Sequence, residues 1–118
     1  MSEFKTCLEV RFLPETSSAV WFLLSPLVYE SDVYGGAITV PVGFITDFVS
    51  FEPLKNIGQR AAVIHDFLYS LSDFDREMAD EILHEALESV GVNNVLADEM
   101  FAAVRLFGGS HKAKGQAQ

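Results

Sequence analysis

The chain has 118 residues, enough for one compact domain with a core and too few for two that each bury sufficient surface. Hydrophobic residues make up 49% and charged residues 21%, a globular composition that excludes disorder over most of the length. The formal net charge is -9 and the eight Lys and Arg residues are scattered, so there is no basic face for a phosphate backbone and nucleic acid is not an expected partner.

From Cys7 to Phe12 apolar residues alternate with polar ones, which predicts a strand with one solvated face and Cys7 as a buried strand thiol. As the sole cysteine it allows no intrachain disulfide and no Cys-based zinc site. Pro14 to Ser18 reads as a turn. Ala19 to Tyr29 is rich in β-branched, aromatic and leucine residues, and Pro26 within it marks an edge, a bulge or a break between two short strands. Its apolar run, Ala19 to Leu24, is far short of a membrane span, and Met1-Ser2-Glu3 does not open like a signal peptide. Glu30 to Gly36 supplies a turn in which Gly35-Gly36 are free to take positive φ, and Ala37 to Val42 is a further strand with Pro41 pointing to an edge. Phe44 to Gly58 should be an ordered loop that takes Thr46-Asp47 out of the sheet.

The remainder is helical. One helix spans Arg60 to Leu71; Asp73 or Asp75 can cap a second, Arg76 to Val90, ended by Gly91. Asn93 or Asn94 can cap a third, Val95 to Leu106, which Gly108-Gly109 should stop. The expected fold is α+β: a small antiparallel sheet from the N-terminal half followed by three helices packed on it. Residues 1–109 form the single domain and 110–118 a flexible tail.

The helix from Arg60 to Leu71 is apolar on nearly every side, so it is expected to be buried, and His65 and Asp66 within it need partners. Tyr69 lies one turn on from His65 over nearly the same face, while Asp66 diverges from both. An antiparallel hairpin of the first two helices brings Asp80 to the height of His65 within about a turn, ~5 Å. Asp80 lies at the edge of an apolar face running through Ala79, Leu83, Ala86 and Val90, with Glu77, Glu81, Glu85 and Glu88 opposite and His84 among them on the solvated side.

An imidazole whose Nδ1–H is held by a carboxylate is oriented and made more basic, as a general base for water requires. Asp66, aimed elsewhere, can hold a hard cation such as Ca2+ with loop carbonyls, and Asp47 can join it. The same residues can equally form a buried polar cluster that fixes the helices against the loop. Both readings stay open at this point.

Two resemblances bear on the choice. The run from Val40 to Ser50 (VPVGFITDFVS), then Arg60 to Tyr69 (RAAVIHDFLY), Ala79-Asp80 and Ala103 to Gly109 (AVRLFGG) resembles the phage-associated domain of unknown function family 1353. That likeness implies a phage or prophage origin, a short stand-alone protein and no settled activity; with neither a signal-peptide opening nor a membrane span, the host bacterial cytoplasm or the virion is the expected location. Separately, Ala61 to Tyr69 followed by Ala79-Asp80 is similar to the His-Asp-x-x-Tyr helix and second-helix Asp of secreted phospholipases and of the parvovirus capsid phospholipase domain. This second likeness implies His65 as general base, Tyr69 and Asp80 as the network behind it, and Asp66 as a calcium ligand. A glycine-rich calcium loop ahead of the helix has no clear match, and the disulfides of those enzymes are absent.

Two functions from different classes follow. The first is a virion or tail accessory or assembly protein that associates with phage proteins or with itself, for which Met100, Phe101, Val104 and Phe107 of the third helix offer apolar surface. The second is a calcium-dependent hydrolase of a lipid or other ester.

Overall fold

The computed structural model of the chain describes residues 2–13, 20–46 and 58–117, with side chains described for all of these except 13, 20 and 107–117. Six short strands come first: β1 Glu3–Phe4, β2 Val10–Leu13, β3 Val20–Leu23, β4 Leu27–Ser31, β5 Gly36–Val40 and β6 Ile45–Thr46. Three helices follow: α1 Gln59–Ser70, α2 Arg76–Ser89 and α3 Asn94–Ala117. The α+β class expected from the sequence is the one observed.

The strands form two three-stranded antiparallel sheets, ordered β1-β4-β5 and β2-β3-β6. Their registers are continuous. Glu3 pairs with Glu30 and Val10 with Leu23, and the same alignment joins both; Leu27 with Val40 and Trp21 with Thr46 share a second alignment in the same way. The two sheets are therefore halves of one three-stranded meander whose ladder is interrupted across its middle.

The cause of the interruption is legible in the residues it contains. Continuing the two alignments sets Pro26 opposite Pro41 on one side and Cys7 on the other. Neither proline has an N–H to give, so the ladder lapses there. The last strand takes a turn at this point, with Phe44 N donating to Pro41 O at 3.2 Å and Gly43 at φ 87°, a conformation in which any Cβ would be strained. Thr6 substitutes a side chain for the missing rungs: its Oγ1 donates to Pro26 O (3.2 Å) and accepts from Val28 N (3.0 Å). The strand expected over Cys7 to Phe12 consequently begins only at Val10. Cys7 is exposed rather than a buried strand thiol, because it lies on this unpaired stretch.

The helices cover the half of the sheet carrying β1, β4 and β5. Leu27, Tyr29, Ile38 and Val40 point inward against α1 and α2, and Ala97, Met100 and Val104 of α3 complete the core. Phe101 of α3 is half-buried, while the side chain of Phe107 lies outside the described ones. Burial of this kind contributes roughly 1.5–3 kcal/mol per large apolar side chain and is what holds α1, whose N-terminus has no side-chain cap, in place.

Asn93 caps α3, accepting from Val95 N at 2.7 Å, whereas Asp75 sits at the α2 N-cap position without such a bond. Two expectations about the helices are corrected. The α3 backbone continues through Gly108-Gly109 to Ala117, since glycine costs a helix about 1 kcal/mol without blocking it as proline does. The row of α2 expected to be solvated is partly buried: His84 packs edge-on to Phe101 and is hydrogen-bonded to Asp98 (2.6 Å), and Glu85 reaches the sheet. Among the described residues no helix is long and apolar enough to cross a membrane.

Candidate functional site

A buried helix hairpin forces any polar side chain at its seam to find a partner across it. His65 and Tyr69 are four residues apart on α1 and so stack on one face, with ring centroids 4.1 Å apart. Across the seam Asp80 of α2 is fully buried. His65 Nε2 lies 2.8 Å from Asp80 Oδ1, and the Tyr69 hydroxyl donates to the same oxygen at 2.5 Å. The expected trio thus converges, with one change: the imidazole presents Nε2, not Nδ1, to the carboxylate.

The second oxygen of Asp80 goes to a residue that sequence reasoning overlooked. Arg105 of α3 donates from Nη1 to Asp80 Oδ2 at 3.0 Å. Arg105 was counted as one more scattered surface cation, although its setting, Ala102-Ala103-Val104 before and Leu106-Phe107 after, is as apolar as that of His65. Arg76, at the start of α2, donates to the carbonyls of Val104 and Arg105 at 3.5 and 3.3 Å and holds the same turn of α3. One carboxylate therefore ties three helices together.

Electrostatics follow the geometry. Burial pushes the Asp80 carboxyl up, but the hydrogen bonds from His65, Tyr69 and Arg105, together with the charge of His65, outweigh it and hold the group below the usual carboxylate value. Burial and the bond to Asp80 push the Tyr69 hydroxyl well up, so it stays a donor at any pH the fold tolerates. Among the described residues no buried side-chain nitrogen or oxygen lacks a partner. His65 is 3% exposed, so water reaches its ring only if the surroundings open.

Asp66 points away from this cluster, as its helical position requires. It is half-buried, and Thr46 Oγ1 donates to its Oδ2 at 2.8 Å, joining the end of β6 to α1. Phe44 and Phe67 pack edge to face beside it, 5.5 Å apart. Asp47, the other residue expected to hold calcium, lies outside the described residues. Among those described, no three His, Cys, Asp or Glu side chains gather as a metal site would require.

A second polar cluster was not foreseen at all. Glu85 of α2 accepts from the Tyr29 hydroxyl (2.8 Å) and Ser31 Oγ (2.7 Å) through Oε1, and from Val33 N (3.0 Å) through Oε2. Ser31 Oγ in turn accepts from Tyr34 N at 2.9 Å, so one glutamate organises the β4–β5 turn. Burial raises the Glu85 carboxyl, and bonds from Ser2, Ser31, Tyr29 and the Val33 amide bring it below its ordinary value.

Residues 21–104 match the model of a family described as Protein of unknown function (DUF1353). No curated protein and no solved structure matches the chain.

Proposed function

The chain belongs to the DUF1353 family, whose description assigns no activity, and on that premise we propose that it is a phage- or prophage-encoded virion or tail accessory or assembly protein. In this reading the His65–Asp80–Tyr69–Arg105 cluster is architectural. The protein acts in the host bacterial cytoplasm or the virion, with phage proteins or its own copies as partners. Phage origin rests on the resemblance carried by the runs at 40–50, 60–69 and 103–109.

The observation that carries the architectural role is the saturation of Asp80. Both oxygens are engaged by donors from two other helices at full burial, which is how a strut satisfies a buried charge. Mass spectrometry of purified particles from an induced lysogen tests the assignment. Stoichiometric copies in the virion support the accessory role, and absence from both particles and assembly intermediates refutes it.

One observation favours a second reading, hydrolysis of a lipid or other ester. His65 lies 2.8 Å from the buried Asp80 carboxylate, the pairing that orients an imidazole and makes it more basic, as a base taking a proton from an attacking water requires. Ester release by the purified protein, abolished in His65→Asn at unchanged stability, would establish it. Loss of stability in that variant, with no ester cleavage by the wild type at any calcium level, returns the cluster to architecture.

A further inference from the structure

The two edges of the meander are built differently. The edge formed by β1 and β2 carries four charges between residues 3 and 11: Glu3, Lys5, Glu9 and Arg11. Such charges blunt an edge against pairing with another strand. The opposite edge, residues 36–46, carries none, in a chain whose net charge is -9. Its longer part, β5, is terminal in its sheet, with β4 its one neighbour among the described residues. Gly36–Val40 contains no proline, so its outward N–H and C=O groups form an intact half-ladder.

We infer that β5 pairs antiparallel with β5 of a second copy, making one six-stranded sheet across a two-fold axis at Ile38. A second copy is the occupant that charge favours. Most of the acidic surface repels another copy of itself, while this edge meets its counterpart without setting any charge against another. The pairing is self-complementary: Ile38 faces its own counterpart on the buried side, and exposed Ala37 faces the counterpart of exposed Thr39 on the outer side. A five-residue seam is at the small end of specific interfaces, so the dimer is weak and concentration-dependent. The inference does not depend on the role of the His65 cluster.

Sedimentation velocity of the full chain from about 10 to about 500 µM, a range that spans weak interfaces, tests it. The wild type should pass from monomer to dimer. Ala37→Lys with Thr39→Lys sets lysine against lysine twice across the seam and should weaken the dimer at least about tenfold. Ala37→Lys with Thr39→Glu sets opposite charges together in the same register and should restore it, with the recovery fading at high salt. A wild type that stays monomeric, a lysine pair that dimerises like the wild type, or a Lys–Glu pair that recovers nothing would each overturn the inference. Should either double variant lose the wild-type circular dichroism, Thr39→Lys alone, at an exposed position, must still weaken the dimer by placing a charge on the edge, though less than the lysine pair.

Discussion

Asp80→Asn changes one oxygen of the central carboxylate into an amide nitrogen and removes its charge at nearly constant volume. The Tyr69 hydroxyl and one nitrogen of His65 lose a charged acceptor, and Arg105 loses its counter-ion. Breaking a buried ion pair by removing one partner costs about 3–5 kcal/mol. The Arg105 side chain is 32% exposed and can turn partly to water, which places the expected loss near the lower bound, about 3 kcal/mol. For a domain stabilised by roughly 5–15 kcal/mol that is about a fifth to three fifths of the total, and it should lower the melting temperature by roughly 10 °C. Urea unfolding followed by circular dichroism gives the value directly, with a lower midpoint and an unchanged slope. Arg105→Met in the same background removes the stranded cation, so the double variant should be less destabilised than the sum of the two by about 1 kcal/mol or more. A loss below about 1 kcal/mol for Asp80→Asn, or strict additivity with Arg105→Met, would refute the view that this carboxylate holds the three helices together.

Acid should unfold the protein through two known groups. Asp80 and Glu85 are held below their ordinary values, so the stability they add is present above the unfolded carboxylate range, about pH 4, and is lost as pH falls through their lower folded values. Urea midpoints from pH 7 to pH 3 should therefore fall steeply below about pH 5, and Glu85→Gln should flatten part of that slope; a flat profile in the wild type would contradict the assignment. Glu85→Ala leaves Tyr29, Ser31 and the Val33 amide without their shared acceptor; a cost of roughly 1.5–3 kcal/mol is expected, with faster hydrogen exchange in the turn at residues 32–35. Asn93→Ala removes the α3 cap at about 1 kcal/mol while Asn93→Asp keeps it, a pair of thermal melts that separates capping from packing.

Where one-dimensional periodicity decides the structure, the sequence was sufficient. Alternation and helical spacing located the strands around Pro26, the three helices and the burial of α1, and the height match of a hairpin put Asp80 at His65. What escaped depends on relations between distant elements. The role of Arg105 requires knowing that α3 returns across the α1–α2 seam, and nothing local to Arg105 encodes that path. Glu85 looked solvated because the helical wheel sees only α2, whereas the sheet turn that buries it comes 52 residues earlier at Val33. Cys7 was misplaced for a similar reason: its strand has the right alternation, but its rungs are removed by a proline on the neighbouring strand. The helix end at Gly108-Gly109 failed differently, since glycine is a preference against helix and not a stop.

The break through Cys7, Pro26 and Pro41 uses equal lengths of chain on all three strands, which is why the alignments on its two sides agree. Gly43 and Phe44 both bond to Leu23, a bulge beside the break, yet the net register is the same on its two sides, and that constrains change in length. Deleting one residue of Leu24-Ser25-Pro26 alone would shift β3 by one position against both neighbours, turning Trp21 and Leu23 outward and Phe22 inward. Length can vary here only if all three strands vary together, so the shortest segments of the sheet should be its least tolerant of insertion or loss.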